Sequence, residues 1–533
     1  MNPQLHFHGA AHGVTGSCYL LKAGTRQILI DCGLFQGSKS ERELNEGDFP
    51  FLPSAIEAVI LTHAHIDHSG LLPRLVKLGF TGSIHATKAT MDLCSVMLPD
   101  SGYIQEGEAD RRARRGRRRG KAEVEPIYTA ADAIACLRHF HAIDYGQWLS
   151  VVPGIRARFW NAGHMLGSAS VEIELGSGSG MVHMLFSGDI GPAGKLLQPD
   201  PVAPSGFDYV VCEATYGAID RPATTIQSRR ELLLQEVTEA IQRGGALLVP
   251  SFAVERTQEV LLDLAALMTE GRLPRFPVFI DSPLASRATE MFRRHAAELE
   301  EGSRLVAALG ASNVHFTQSV EESMALDQVL GFHTIIAASG MCEAGRIRHR
   351  LKNWLWRHDA TVLFVGFQAA GTLGRVLRDG AKAVRIHGEV IDVNAAIRAI
   401  DVYSGHADGQ ELLAWVAQRE PVAHDVFLVH GEETGIAGLE TRLQSLRLPG
   451  RIIAPNLDEA FELTPQGARP MESAPSRLQR LVPVGRPDAN NLLSELLLDI
   501  GDAIDEAADD NAKNVIIRRL RRALENRPEP KPS

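Results

Sequence analysis

Apolar and polar positions along the chain fall into two styles. Through residue 215, short Val- and Ile-rich runs are punctuated by turn residues: Ser17 to Leu21, Gln27 to Asp31, Ala58 to Thr62, Val171 to Leu175, His183 to Ser187 and Tyr209 to Glu213. Helical spacing such as Leu71 to Leu78 separates them, and the mixture predicts a layered α/β core. From 216 to 395 the pattern becomes regular alternation. Helices Ser228 to Arg243 and Thr257 to Thr269 precede strands Ala246 to Pro250 and Val278 to Asp281, and strands Thr334 to Ala338 and Thr361 to Gly366 follow. That is the signature of a separate parallel-sheet unit. At Ser404 to Asp408 and Val426 to His430 the first style returns, so the unit at 216–395 reads as an insertion into a domain formed by 1–215 and 396–460. The remainder, 461–533, reads as a Pro-, Arg- and Ser-rich linker. It is followed by a small helical extension with Leu493, Leu496, Leu497, Ile500 and Ile504 on one helical face and a second pattern from Val515 to Leu524.

Composition narrows the class. The 533 residues are 44% hydrophobic, enough for two or three cores, and no stretch offers about 18 uninterrupted apolar residues. The start of the chain lacks a basic region followed by an apolar one, so a soluble, unsecreted, cytoplasmic protein is expected. Its six cysteines are scattered without a Cys-x-x-Cys pair, which suits buried thiols and makes them poor metal ligands. A net charge of −10 argues against a generic nucleic-acid coat. Charge is local, however: Arg111 to Lys121 packs eight cations into eleven residues, which suits either a solvated face, as a loop or part-helix, or a place for polyanion phosphates.

The strongest chemical signal is Thr62-His63-Ala64-His65-Ile66-Asp67-His68-Ser69-Gly70, where an apolar strand gives way to a helix. Alternate residues at a strand end project the same way, so His63 and His65 can share one metal while Asp67 and His68 face the other side. Chance alone would produce His-x-His-x-Asp-His in such a chain about 0.001 times, which disfavours a surface histidine cluster. Four residues cannot close two sites. His164 in Gly163-His164-Met165-Leu166-Gly167-Ser168 and Asp189 in Ser187-Gly188-Asp189-Ile190-Gly191 are suited to join them, each beside glycines that let backbone crowd a metal.

These segments, with Asp31-Cys32-Gly33, Glu213-Ala214-Thr215-Tyr216-Gly217, Ser339-Gly340-Met341, Ser404-Gly405-His406-Ala407-Asp408 and His430-Gly431-Glu432, resemble the metallo-β-lactamase superfamily. Within it the chain is similar to the β-CASP RNA-processing nucleases, bacterial relatives of the cleavage and polyadenylation nuclease subunit, over about residues 1 to 460. The resemblance implies a four-layer αββα metallo-β-lactamase domain split by an inserted α/β β-CASP domain, with the helical extension appended. It implies two zinc ions: His63, His65 and His164 on one, Asp67, His68 and His430 on the other, Asp189 bridging, and Asp31 orienting the ligand loop. It further implies His406 as general acid with Glu213 behind it, Asp67 orienting the attacking water, and phosphate contacts from Ser339, Arg346 and Ser404 in Gly-rich turns. The substrate so implied is single-stranded RNA, cut to 5′-phosphate and 3′-hydroxyl ends in endo- or 5′-to-3′ exonucleolytic mode. A histidine at 430, where the DNA-repair branch has an apolar residue, favours RNA.

The chain departs from the family pattern at Ala214, usually Ser, and at Ala218 to Pro222, which carries an extra residue and a proline. Two rival readings stand beside the nuclease. A small-molecule metallo-hydrolase on the same scaffold would explain the metal residues but not the inserted unit or the His406 motif. A non-catalytic RNA-binding scaffold is expected to have lost metal ligands, whereas all seven are kept here. His6, His8 and His12 read as surface or loop residues, no membrane association is expected, and the C-terminal extension leaves a homodimer as an open expectation.

Overall fold

The computed structural model describes residues 2–37, 39–117, 125–176, 180–222, 225–368, 371–472, 476–480, 513, 515 and 517–519. Two large sheets face each other. One has eight strands, in the order Gly467–Pro470, Ala460–Thr464, Gln4–Phe7, Tyr19–Ala23, Arg26–Ile30, Ala58–Ile60, Ser83–Thr87 and Phe140–Ile143. The other has seven: Ile452–Ile453, Val426–Val429, Tyr209–Glu213, Val182–Phe186, Ala169–Leu175, Ile155–Asn161 and Trp148–Val152. Strand period 2 explains why their sequences are continuously apolar. Ile28 and Ile30 enter the core between the sheets while Leu29 faces outward, and Tyr209 and Val211 face in while Val210 and Cys212 face out. Both faces are buried because helices cover each outer side. Leu72–Lys77 and Lys88–Arg117 contribute Leu72, Leu75, Leu93 and Leu98 against the first sheet. Gly409–Ala417 and Glu433–Leu443 contribute Leu412, Trp415, Ile436 and Leu439 against the second. The result is the expected αββα layering.

A third sheet lies in the interrupting segment. Its six strands, Val314–Phe316, Val278–Ile280, His333–Ala337, Ala246–Pro250, Thr361–Phe364 and Ala396–Ala399, are parallel throughout. It packs on the first domain along the helix Lys88–Arg117: Asp92 bonds His295 at 2.8 Å, and Arg287 pairs with Asp100. Among the described residues no helix is long and apolar enough to cross a membrane.

The structure corrects the sequence reading in three places. Ala396–Ala399 belongs to the third sheet, pairing with Thr361–Phe364, although the insertion was expected to end at 395; its short, mixed pattern gives little strand signal. The segment from 461, expected as linker, instead begins within a hairpin, Ala460–Thr464 with Gly467–Pro470, that completes the edge of the first sheet beside Gln4–Phe7. His8, read as a surface or loop residue, lies in the loop after Gln4–Phe7 but is buried and bonded to Asp458 at 3.1 Å. Of the basic run, Arg111, Arg112 and Arg114 ride exposed on the helix Lys88–Arg117, with Arg112 paired to Glu46; the side chains beyond lie outside the described residues. So does most of the helical extension, and with it the expected dimer contact.

One polar network on the second sheet is set by the fold alone. Glu172, buried, accepts from Arg158, Trp160 and His183 on neighbouring strands. Burial alone would raise its pKa, but these donors, His183 first, hold it down at about 2 against an ordinary 4.5, and Glu172 in turn raises that of His183. The carboxylate's contribution is therefore present above pH 4.5 and is lost as pH falls toward 2. The imidazolium's is present below its ordinary 6.5 and is lost as pH rises through its raised value. Glu172→Gln is expected to cost about 2 kcal/mol in urea unfolding at pH 6, with the gap to wild type closing as pH approaches 2; a gap independent of pH would contradict this.

Candidate metal centre and its histidine–carboxylate neighbour

The apolar strand Ala58–Ile60 delivers its C-terminal end to the loop 61–65, and the helix Ile66–Ser69 starts at once. Asp31 fixes that junction from the adjacent strand. Its Oδ1 accepts the Thr62 N–H at 2.8 Å, and its Oδ2 accepts the Thr62 hydroxyl at 2.8 Å and bonds His68 Nδ1 at 2.7 Å. Close backbone approach does the rest: a Cβ on Gly33 would stand 1.6 Å from the Asp67 carbonyl oxygen, and one on Gly191 1.9 Å from that of Gly163. Only glycine fits at either position.

The loops bring all seven expected ligand residues together in two groups. The rings of His63, His65 and His164 form a near-equilateral triangle, with centroids 5.0, 4.9 and 5.0 Å apart. Asp67, His68 and His430 form the second group. Asp189 stands between: Oδ2 is 3.4 Å from His63 Nε2 and 3.6 Å from His164 Nε2, while Oδ1 is 3.2 Å from His68 Nε2 and 3.6 Å from His430 Nδ1.

Four of the rings also carry an outward bond. His63 Nδ1 meets Thr62 Oγ1 at 3.1 Å, His68 Nδ1 meets Asp31, His164 Nδ1 meets the Gly405 carbonyl at 2.7 Å, and His430 Nδ1 meets Thr215 Oγ1 at 3.0 Å. Such bonds fix tautomer and ring orientation and leave the other nitrogen for a cation.

The inner atoms fit a divalent metal. His63 Nε2, His430 Nε2 and Asp189 Oδ1 are buried with no hydrogen-bond partner, a costly state unless a cation satisfies them. Burial drives His63 down to about 3 and His65 to about 4, and with the neighbouring His406 it holds His164 well below 6.5, so these imidazoles are neutral with lone pairs available. Burial would raise Asp67 and Asp189. Nearby His430, with His68 and His65, keeps Asp67 an anion, and His430, His68 and His63 do the same for Asp189. All six cysteines are buried thiols, and among the described residues none joins a group able to hold a metal.

Beside the cluster, Glu213 ends its strand wholly buried and receives His406 Nδ1 at 3.1 and 3.2 Å. His406 Nε2 lies 4.0 Å from Asp189 Oδ2, and its side chain is 21% exposed, which leaves it facing both the cluster and solvent. Ser404 hydrogen-bonds within the same loop, to His406 backbone atoms. Ser339 bonds the Ala344 backbone across its own turn. Arg346 pairs with Asp281 at 3.0 Å and donates to the Gln318 and Ser319 carbonyls, so a phosphate there would compete with these bonds.

Two positioning residues escaped the sequence reading. Thr215 orients His430. Arg221, inside the segment that departs from the family pattern, donates to the His406 carbonyl and lies over the Tyr216 ring at 5.1 Å. Both lie in segments that the sequence reading quoted, but neither residue type carries a spacing signal for this role.

Three family models match the chain: the metallo-beta-lactamase superfamily over residues 13–251, the Beta-Casp domain over 257–377, and the Zn-dependent metallo-hydrolase RNA specificity domain over 390–454. A ribonuclease of Thermus thermophilus is 37% identical over 81% of this chain and 94% of its own length. The transcription termination factor FttA of Methanosarcina mazei is 30% identical over 81% of this chain and 67% of its own.

Stripping divalent metal with a chelator is expected to lower the melting temperature, because the facing lone pairs lose their cation. An ion at a hundredfold its Kd contributes about 2.7 kcal/mol. Identical melting curves with and without chelator, on protein shown to carry metal beforehand, would contradict the reading of this cluster.

Proposed function

The chain belongs to the metallo-beta-lactamase superfamily and to its β-CASP nuclease branch, and on that premise we propose that it is a zinc-dependent ribonuclease hydrolysing phosphodiester bonds of single-stranded RNA. The observation that carries the reading is the pairing of His406 with buried Glu213 at 4.0 Å from the carboxylate between the two histidine groups. That is a proton donor set beside a metal cluster, as cleavage with a poor alkoxide leaving group requires. The relatives' names, a ribonuclease and a transcription termination factor, point to RNA as substrate.

Zinc would be held by His63, His65 and His164 in one position and by Asp67, His68 and His430 in the other, with Asp189 shared and Asp31 orienting His68. Two ions so bound supply positive charge that acidifies water and neutralises the phosphate. The chain's own residues do the remaining work. Asp67 accepts a hydrogen bond from the attacking water and aims it at phosphorus. His406 gives its Nε2 proton to the departing 3′-oxygen, and Glu213 holds the Nδ1 proton so that the ring presents the correct face. Ser404, beside His406, and Ser339 and Arg346 in the inserted unit are assigned to backbone phosphates. Departure of the 3′-oxygen leaves a 5′-phosphate and a 3′-hydroxyl.

End analysis of the products is the first check, and a 3′-phosphate would sink the assigned direction of attack. His406→Ala is expected to lower kcat on RNA about a hundredfold or more. It should have a much smaller effect on a nitrophenyl phosphodiester, whose leaving group needs no proton. An equal loss on both substrates would show that His406 is not the acid.

A further inference from the structure

Of the buried charged clusters that the mechanism leaves unused, one sits behind the His164 loop. Lys195, Gln198, Glu255 and Glu259 are all at least nine-tenths buried. Lys195 Nζ donates to the His164 carbonyl at 2.6 Å and lies 3.4 Å from Glu255 Oε1 and 3.9 Å from Glu259 Oε1. Glu255 Oε2 accepts the Leu166 N–H at 3.1 Å, and Gln198 Nε2 donates to both Glu255 oxygens, at 3.0 and 3.1 Å. The loop that presents His164 is thus held from two sides by one lysine–glutamate pair. Lys195 belongs to the first domain, whereas Glu255 belongs to the inserted one, where it immediately precedes the helix Arg256–Thr269.

The backbone at Glu255 is held in a conformation its side chain does not favour. Its φ is 71° and ψ −67°, a tight turn in which the Arg256 N–H reaches the Val254 carbonyl at 3.0 Å. A non-glycine residue in that region is strained and persists only where surrounding bonds over-determine it. The bonds that do so here run to the His164 loop. The next residue extends the same turn to the other half of the centre: Arg256 Nε donates to the Tyr403 carbonyl at 3.0 Å, just ahead of Ser404 and His406. His164 Nδ1 in turn bonds the Gly405 carbonyl. A single strained turn of the inserted domain therefore grips both loops that meet at the cluster.

We propose that Glu255, together with Lys195, is a positioning residue that holds the Gly163 to Leu166 loop so as to present His164, and that the inserted domain thereby sets the metal affinity of the His63–His65–His164 group. The inference rests on the reading of His164 as a ligand. Coupling of this kind is reciprocal, so metal in that group also tightens the grip of the inserted domain.

The test is calorimetric titration of the metal-free full chain with zinc, and cobalt absorption titration in parallel, for wild type, Glu255→Ala, Glu255→Gln and Lys195→Met. Wild type is expected to take two ions. Glu255→Ala should keep one with wild-type affinity and bind the other at least about tenfold more weakly, with a matching change in half of the cobalt spectrum. Glu255→Gln keeps an acceptor for the Leu166 N–H but not the charge facing Lys195, so it should fall between the two. It also serves, with Lys195→Met, if the alanine variant does not fold. A merely structural role would weaken both ions together, and that result overturns the proposal, as do two ions of wild-type affinity in all three variants. A wild type that takes fewer than two ions overturns the metal reading and this inference with it, whereas intact wild-type binding with unaltered variants overturns the inference alone.

Discussion

Asp189 offers one carboxylate oxygen to each of two histidine groups, and nearly every other feature of the structure serves to keep those groups facing it. Three unpartnered polar atoms inside a protein core would be a heavy liability without a cation, so the cluster has to be enforced from outside. The enforcement is visible ring by ring, in Thr62, Asp31, the Gly405 carbonyl and Thr215. It is visible one layer further out in the glycines that let the backbones of Asp67 and Gly163 come close. The αββα layers supply rigidity, because strand ends anchored in a core buried on both faces cannot drift apart.

The centre was legible in the sequence to the extent that it is local. His63 to His68 fall within six residues, so their spacing alone says that they share a strand end. His164, Asp189 and His430 come from separate strand ends and were legible only through the glycines around them and the resemblance to a family. Asp31 apart, whose role the resemblance implied, the side chains that hold the centre in place were not legible. Lys195 and Glu255 are common residue types in unremarkable positions, brought together by a packing of two domains that no periodicity encodes. Arg346, assigned to phosphate from its glycine-rich turn, also pairs with buried Asp281, a partner that the turn does not announce.

The layering followed from continuous apolar runs, and the inserted parallel sheet from regular helix–strand alternation. The borders were less readable for a physical reason. Ala396–Ala399 and Gly467–Pro470 are edge strands paired on one side, half exposed, and so lack the apolar density of central strands. The burial of His8 in its loop was not readable because its partner, Asp458, is 450 residues away.

The claim at the centre of this account is that the cluster is a metal-dependent catalyst acting on RNA. It is met most directly by incubating the zinc-loaded protein with 5′-labelled single-stranded RNA, beside Asp67→Ala and beside a matched DNA strand. The account predicts that the RNA is cut, the DNA is spared, and the cutting disappears in the variant. Intact RNA after incubation with protein shown to hold two zinc ions, or cutting that survives Asp67→Ala, would contradict it.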